Sequence, residues 1–339
     1  MKTRFESLRD LATLPWFGIE NDRLVVKDKT VGPVIDFHSH LALAYGLPYR
    51  VDLTRTHERT EHYLPDDRPI DLEIYINQNL SEEDLSRLTR DLTLKSMTRG
   101  GMRATHTPGN LAREMSELGV EASVLLPIEM PVLSKNARTY IATVKGRKDL
   151  IAFGSVHPYS YDPEKELDEQ LELGARGLKV HPAVQLVAPE NPRAQRLYKL
   201  CGDRGVPVFF HCGPVGIEAK RGRELTQVRR YKEPIEKQPG TTFVLGHSGA
   251  LQMEEALALA KEHENVWLEL SSQSVSNVRK ILDEAPSDRI VFGSDWPFYH
   301  QGIGIAKVLM VTEDRKDLRS KVLHDNAARL LARTAPVSA

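Results

Sequence analysis

His38 and His40 stand one residue apart at the end of the apolar run VIDFH. Side chains repeat their direction every two residues along a strand. A strand here therefore sends both imidazoles, and Asp36, to one side. Two imidazoles a strand-step apart can hold one cation between them, and they can equally be polar residues at a strand end. Other polar residues also close apolar runs: Lys179 and His181 in LKVHP, His211 in FFHCG, His247 in LGHSGA and Asp295 in GSDWP. Neutral imidazoles with one carboxylate suit Zn²⁺, and also Mn²⁺ or Fe²⁺. Zinc lowers the pKa of a bound water from about 15.7 to about 7. An aspartate beside the metal can take that water's proton, and a nearby histidine can polarise or protonate a substrate.

The elements that must position these residues are short β-type runs alternating with amphipathic helical stretches. Strands are expected at 34–38, 121–127, 150–156, 176–181, 206–211, 242–247, 265–270 and 289–295, and helices at 110–120, 164–175, 191–205, 250–263 and 276–285. This is the pattern of an α/β fold, a (β/α)8 TIM barrel. The polar residues lie at the C-terminal ends of their runs, and they meet at one mouth only if the strands are parallel and close into a barrel. An open doubly wound sheet is the alternative, but no G-x-G-x-x-G opens a helix after the first strand. The spacing breaks once, between the first two strands. Residues 41–118 form an insert placed over the mouth as a cap, with a helix in 81–97 and Ser81 and Asp84 in capping-box register. Residues 1–32 read as a helical arm plus an edge hairpin, and 33–339 as the barrel domain.

A net charge of −1 over 339 residues gives no bias toward nucleic acid or an anionic membrane, so the expected partner is a small molecule. A homodimer is compatible with this composition. Cys201 and Cys212 are the only cysteines and form no CxxC. The N-terminal stretch lacks the apolar core of a signal peptide, and no run approaches the roughly 18 apolar residues of a membrane span. A reducing, cytoplasmic setting is expected.

The motifs in order are H-x-H on the first strand, G-[LIV]-K-[LIV]-H-P on the fourth, single histidines after the fifth and sixth, and G-S-D-x-P on the eighth. This series resembles the amidohydrolase superfamily over about residues 33 to 332. It is most similar to the branch with aminocarboxymuconate-semialdehyde decarboxylase, resorcylate-type decarboxylases and several lactonases. The resemblance implies a divalent transition metal, one or two ions per chain, held by His38, His40, His211 and Asp295. Asp295 is then also the catalytic base. His247 is either the catalytic acid/base or a ligand of a second metal. Lys179 is a bridging ligand only if it is carbamylated between two metals, and otherwise an ion-pair partner of Asp36 or Asp295. The expected reaction is hydrolysis of an amide or lactone, with non-oxidative decarboxylation of an aromatic or muconate-type acid as the alternative. A non-catalytic binding barrel would show degraded ligand positions, and none is degraded.

Arg50, Arg55 and Arg59 in the insert, with Arg221 beside Lys220 and Arg223, are candidates for a substrate carboxylate, because arginine binds such groups bidentately. Tyr45, Tyr49, Trp296, Phe298 and Tyr299 are candidate walls. Asp36 reads as a buried ion-pair partner or hydrogen-bond acceptor, His157 as a support to the site, and Cys212 as packing.

Overall fold

The structure is a computed structural model that describes residues 2–42, 51–130 and 134–334. Eight parallel strands carry the fold: β1 (Val34–Ser39), β2 (Val120–Leu125), β3 (Leu150–Ala152), β4 (Leu178–Val180), β5 (Val208–His211), β6 (Phe243–Gly246), β7 (Val266–Glu269) and β8 (Ile290–Val291). β1 to β3 pair in sequence, as do β4 to β8. Two seams join these sheets. At the first, Gly154 bridges Leu178 and the Lys179 amide donates to the Gly154 carbonyl at 2.8 Å. At the second, Ser39 bridges Trp296, and Phe37 N donates to Phe292 O at 2.9 Å. The result is a TIM barrel.

The connecting helices begin where local chemistry starts them. Thr107, Asp162, Asn191 and Ser274 accept hydrogen bonds from first-turn amides of the helices Pro108–Leu118, Pro163–Glu172, Pro192–Asp203 and Val275–Glu284. Three of these carry proline in the first turn, where its missing N–H costs nothing. Strand alternation sorts the apolar side chains. Phe209 packs inside the barrel with Phe37, Phe153, Val244 and Trp267, whereas Phe210 joins the layer under the helices. His211 therefore returns to the interior, and Cys212 is buried on the other side, consistent with packing.

β1 departs from simple alternation. Its register against β2 shifts between Asp36 and Ser39, and such an irregularity re-aims side chains. Phe37 packs in the interior, yet His38 also reaches across to Glu269 of β7. Asp36 does not share their direction. It accepts from Ser39 Oγ at 3.0 Å, Ser294 Oγ at 2.6 Å and Gln301 Nε2 at 2.6 Å. A buried carboxylate so fully bonded is a structural acceptor.

The described part of the insert carries the helix Glu82–Leu92, with the Ser81/Asp84 capping box formed. The N-terminal arm holds a 3₁₀ helix, Leu8–Thr13, and a hairpin of Phe17–Glu20 with Arg23–Val26. Among the described residues that hairpin pairs only with itself, because a closed barrel offers no edge. Arg4–Phe5 instead pairs antiparallel with Ile70–Asp71 and ties the arm to the insert. Among the described residues no helix is long and apolar enough to cross a membrane.

Candidate active site at the barrel mouth

His38 Nε2 lies 3.2 Å from His40 Nε2, and Asp295 Oδ1 lies 3.4 and 3.3 Å from the two. The second ring nitrogens decide what faces inward. His40 Nδ1 is 2.7 Å from the carbonyl of Leu126, which can only accept, so Nδ1 carries the proton. His38 Nδ1 is 2.9 Å from Glu269 Oε2, and in its ionised form that carboxylate accepts from Nδ1–H and selects the same tautomer. Two lone pairs and a carboxylate oxygen thus converge with no proton between them, an arrangement that repels itself unless a cation sits among the three. A tetrahedral zinc with bonds of about 2.0–2.1 Å spaces its ligands about 3.3–3.4 Å apart, and the observed separations fit that edge. Burial holds the His38 ring well below the usual imidazole range, aided by the nearby Lys179, which favours the neutral, ligating form.

Glu269 and Ser271 form the layer beneath. Ser271 Oγ donates to Glu269 Oε2 at 2.8 Å and lies 2.8 Å from His247 Nδ1. Glu269 also accepts from the His247 amide at 3.0 Å. Burial raises the Glu269 carboxyl to about 8, against the pull of the His247 and Ser271 donors. Gly293 makes the contact with His38 feasible: a Cβ there would fall 2.2 Å from Glu269 Oε1 and 2.7 Å from His38 Cβ.

His211 sits beside the triad. Its ring stacks on His181 with centroids 4.0 Å apart, and its Nδ1 lies 3.2 Å from His247 Nε2. Those two contacts hold it outside the 4.8 Å envelope that His38, His40 and Asp295 share. Burial keeps His181, His211 and His247 neutral, each well below the ordinary imidazole range. Lys179 reaches the same floor. Its Nζ lies over the Phe209 ring at 4.4 Å and has no hydrogen-bond partner among the described residues, so neither Asp36 nor Asp295 pairs with it. Burial lowers its ammonium to about 7, opposed by Asp295 and Glu269. Asp295, His247 and Ser272 all have left-handed backbone, with φ of 63°, 54° and 68°. Non-glycine residues in that region store strain, and such strain gathers at functional sites.

The amidohydrolase family profile matches residues 35–333. The chain belongs to the amidohydrolase family. Among solved structures it is similar to an uncharacterized TIM-barrel protein from Bordetella bronchiseptica, at 20% identity and TM-score 0.65, covering 89% of this chain and 99% of that one. It is also similar to 2,6-dihydroxybenzoate decarboxylase complexed with 2,6-dihydroxybenzoate, at 15% identity and TM-score 0.58, covering 88% and 99%. A third is a probable 2-pyrone-4,6-dicarboxylic acid hydrolase from Acinetobacter baumannii, at 14% identity and TM-score 0.52, covering 88% and 99%. At these identities the likeness shows the shared fold. No curated protein matches the chain.

This amidohydrolase has a cavity of about 370 Å³ directly over the triad. His40, Lys179, His211, His247 and Asp295 form its polar floor, Leu88 and Leu92 of the insert helix one wall, and Ile128, Val184 and Phe298 others. Of the candidate arginines, Arg221 lines this cavity. Arg59 does not: it pairs with Asp22 at 3.5 Å in a separate groove of about 480 Å³ between the arm and the insert. Arg55 is exposed, and among the described residues it does not line the cavity. The reason is the pairing of the arm with the insert, which carries this loop to the flank of the barrel. Arg50, Tyr45 and Tyr49 lie outside the described residues. Phe298 and Tyr299 line the cavity, whereas Trp296 is buried and its indole donates to Glu114 at 3.2 Å. His157 Nε2 bonds the carbonyl of Gln185 at 2.9 Å, which fixes a loop. Sequence reasoning passed over Glu269 and Ser271. The signal was a lone glutamate ending the apolar run NVWLEL, in step with the interior-facing Trp267.

Proposed function

We propose that this amidohydrolase is a metal-dependent enzyme that hydrolyses an amide or lactone bond of a small, carboxylate-bearing molecule seated in the mouth cavity. The observation that carries this reading is the convergence of the His38 and His40 lone pairs with Asp295 Oδ1 on the cavity floor. The donor set suits one Zn²⁺, with Mn²⁺ or Fe²⁺ as substitutes. A metal held there would supply Lewis acidity toward the substrate carbonyl and acidify a water. Asp295 accepts the proton released at the floor. His247, whose Nδ1–H donates to Ser271 Oγ, carries a lone pair on Nε2 that takes this proton from Asp295 and delivers it to the leaving group. Glu269 fixes the ring of His38, as carboxylates behind metal-binding histidines do. Leu88, Leu92, Ile128 and Phe298 give the cavity apolar walls, which strengthen these interactions relative to water. Arg221, exposed at the rim, takes the substrate's carboxylate.

Decarboxylation of an aromatic acid is the second reading. The apolar walls favour it, because they would desolvate a carboxylate, and the fold is shared with 2,6-dihydroxybenzoate decarboxylase. Turnover in H₂¹⁸O separates the two: hydrolysis places ¹⁸O in the acid product, and decarboxylation releases CO₂ and leaves the organic product unlabelled. A metal-loaded sample inert toward lactones, N-acyl amines and aromatic carboxylates alike would overturn both.

A further inference from the structure

Two large apolar side chains of the cavity wall stand open to solvent. Leu186 is 49% exposed and Ile217 37%, and both line the cavity whose floor holds His40, His247 and Asp295. A single exposed leucine carries no meaning. These two come from different loops, one after β4 and one after β5, and open onto the same space, which Val184 and the insert's Leu88 and Leu92 also line. Leu186 has a second unfavourable feature. It ends the one-turn helix Pro182–Gln185 with left-handed backbone, φ 56° and ψ 31°. Glycine or asparagine ordinarily takes that position. A bulky side chain there is an outlier, because its Cβ crowds the following carbonyl. An exposed and strained leucine destabilises the empty protein on both counts. Strain and open apolar surface of this kind gather where a ligand is held.

We infer that Leu186 and Ile217 are specificity-determining residues that seat a hydrocarbon chain of the substrate. The apolar lining runs from the enclosed Leu88 to these open side chains. A compact molecule on the floor leaves the open ones bare, whereas a chain extending from the floor covers them. This deepens the proposed function and rests on the mouth cavity being the substrate site. The substrate is then an amphiphile, an amide or lactone that carries an alkyl or acyl chain, and not a small polar acid.

The test titrates the zinc-loaded protein with butanoate, hexanoate and octanoate by calorimetry, in wild type, Leu186→Asn and Ile217→Asn. Zinc content and melting temperature without ligand are measured on the same samples. Seating of the chain predicts that wild-type affinity rises about tenfold for every two methylenes, the usual gain on burying them. In each variant the rise should shrink to about threefold or less, with butanoate affinity and zinc content unchanged. Asparagine accepts left-handed backbone, so Leu186→Asn should melt at or above the wild-type temperature. A rise that stays intact in both variants overturns the proposal, whatever their melting temperatures. Equal affinity for all three acids in the wild type also overturns it, and leaves the cavity standing as the substrate site. If the zinc-loaded wild type binds none of the three, the reading of the cavity falls and the role of Leu186 and Ile217 falls with it.

Discussion

His38, His40 and Asp295 stand close enough to share one cation, and this yields the most direct residue-scale expectation. His40→Ala should lose most of the bound metal and the activity together, by metal analysis and assay of the same sample. Chelation of the wild type should do likewise, with Zn²⁺ or Mn²⁺ restoring turnover. His247 differs, because its ring bonds Ser271 and His211 and is not part of the triad. His247→Asn should keep its metal and lose about 10²–10⁴ in kcat, the usual cost of a missing general acid or base. Loss of metal on that substitution would make His247 a ligand instead. The histidines and Asp295 were legible because each ends an apolar run, and a polar residue there faces the mouth. Glu269 and Ser271 were not, because a single glutamate in a strand says nothing of its partner until β7 stands across from β1.

At the scale of elements, the barrel strands were readable from apolar runs, and the capped helices from proline and glycine punctuation. The path of the insert was not. It is set by contacts distant in sequence, Arg4–Phe5 with Ile70–Asp71 and the Leu8 amide on the Asp66 carbonyl. These carry Arg55 and Arg59 to the flank and leave Arg221, on the short helix Lys220–Leu225, at the rim. Arg221→Ala should therefore raise KM about tenfold with little change in kcat, as loss of a uniform, charge-assisted contact does. Arg59→Ala should leave both constants unchanged. Steady-state kinetics on one substrate checks the pair, and an effect at Arg59 equal to that at Arg221 would contradict the placement.

At the scale of the molecule, a buried charge pair within the insert is fastened to the barrel through its carboxylate. His62 Nε2 lies 3.0 Å from Glu114 Oε2, and Glu114 also accepts from the Gln301 amide at 2.7 Å. Burial opposes a charge on His62, but Asp66 and Glu114 override it and hold the imidazolium up to about 10. A folded value above the unfolded one, about 6.5, gives stability that is complete below pH 6.5 and lost as pH rises through 10. Melting temperature should fall over that window in the wild type more steeply than in His62→Gln. Equal slopes would mean His62 is neutral. The second barrel seam has a consequence of another kind. The Asp295 amide donates to the His38 carbonyl at 2.8 Å and the His40 amide to the Trp296 carbonyl at 2.6 Å. The residues proposed to hold the cation are thus the ones that fasten the last strand to the first, and a cation bound there would act as a latch on the ring. Its removal should quicken hydrogen–deuterium exchange at the amides of Phe37, His40 and Asp295, while those at the Gly154–Leu178 seam keep their protection.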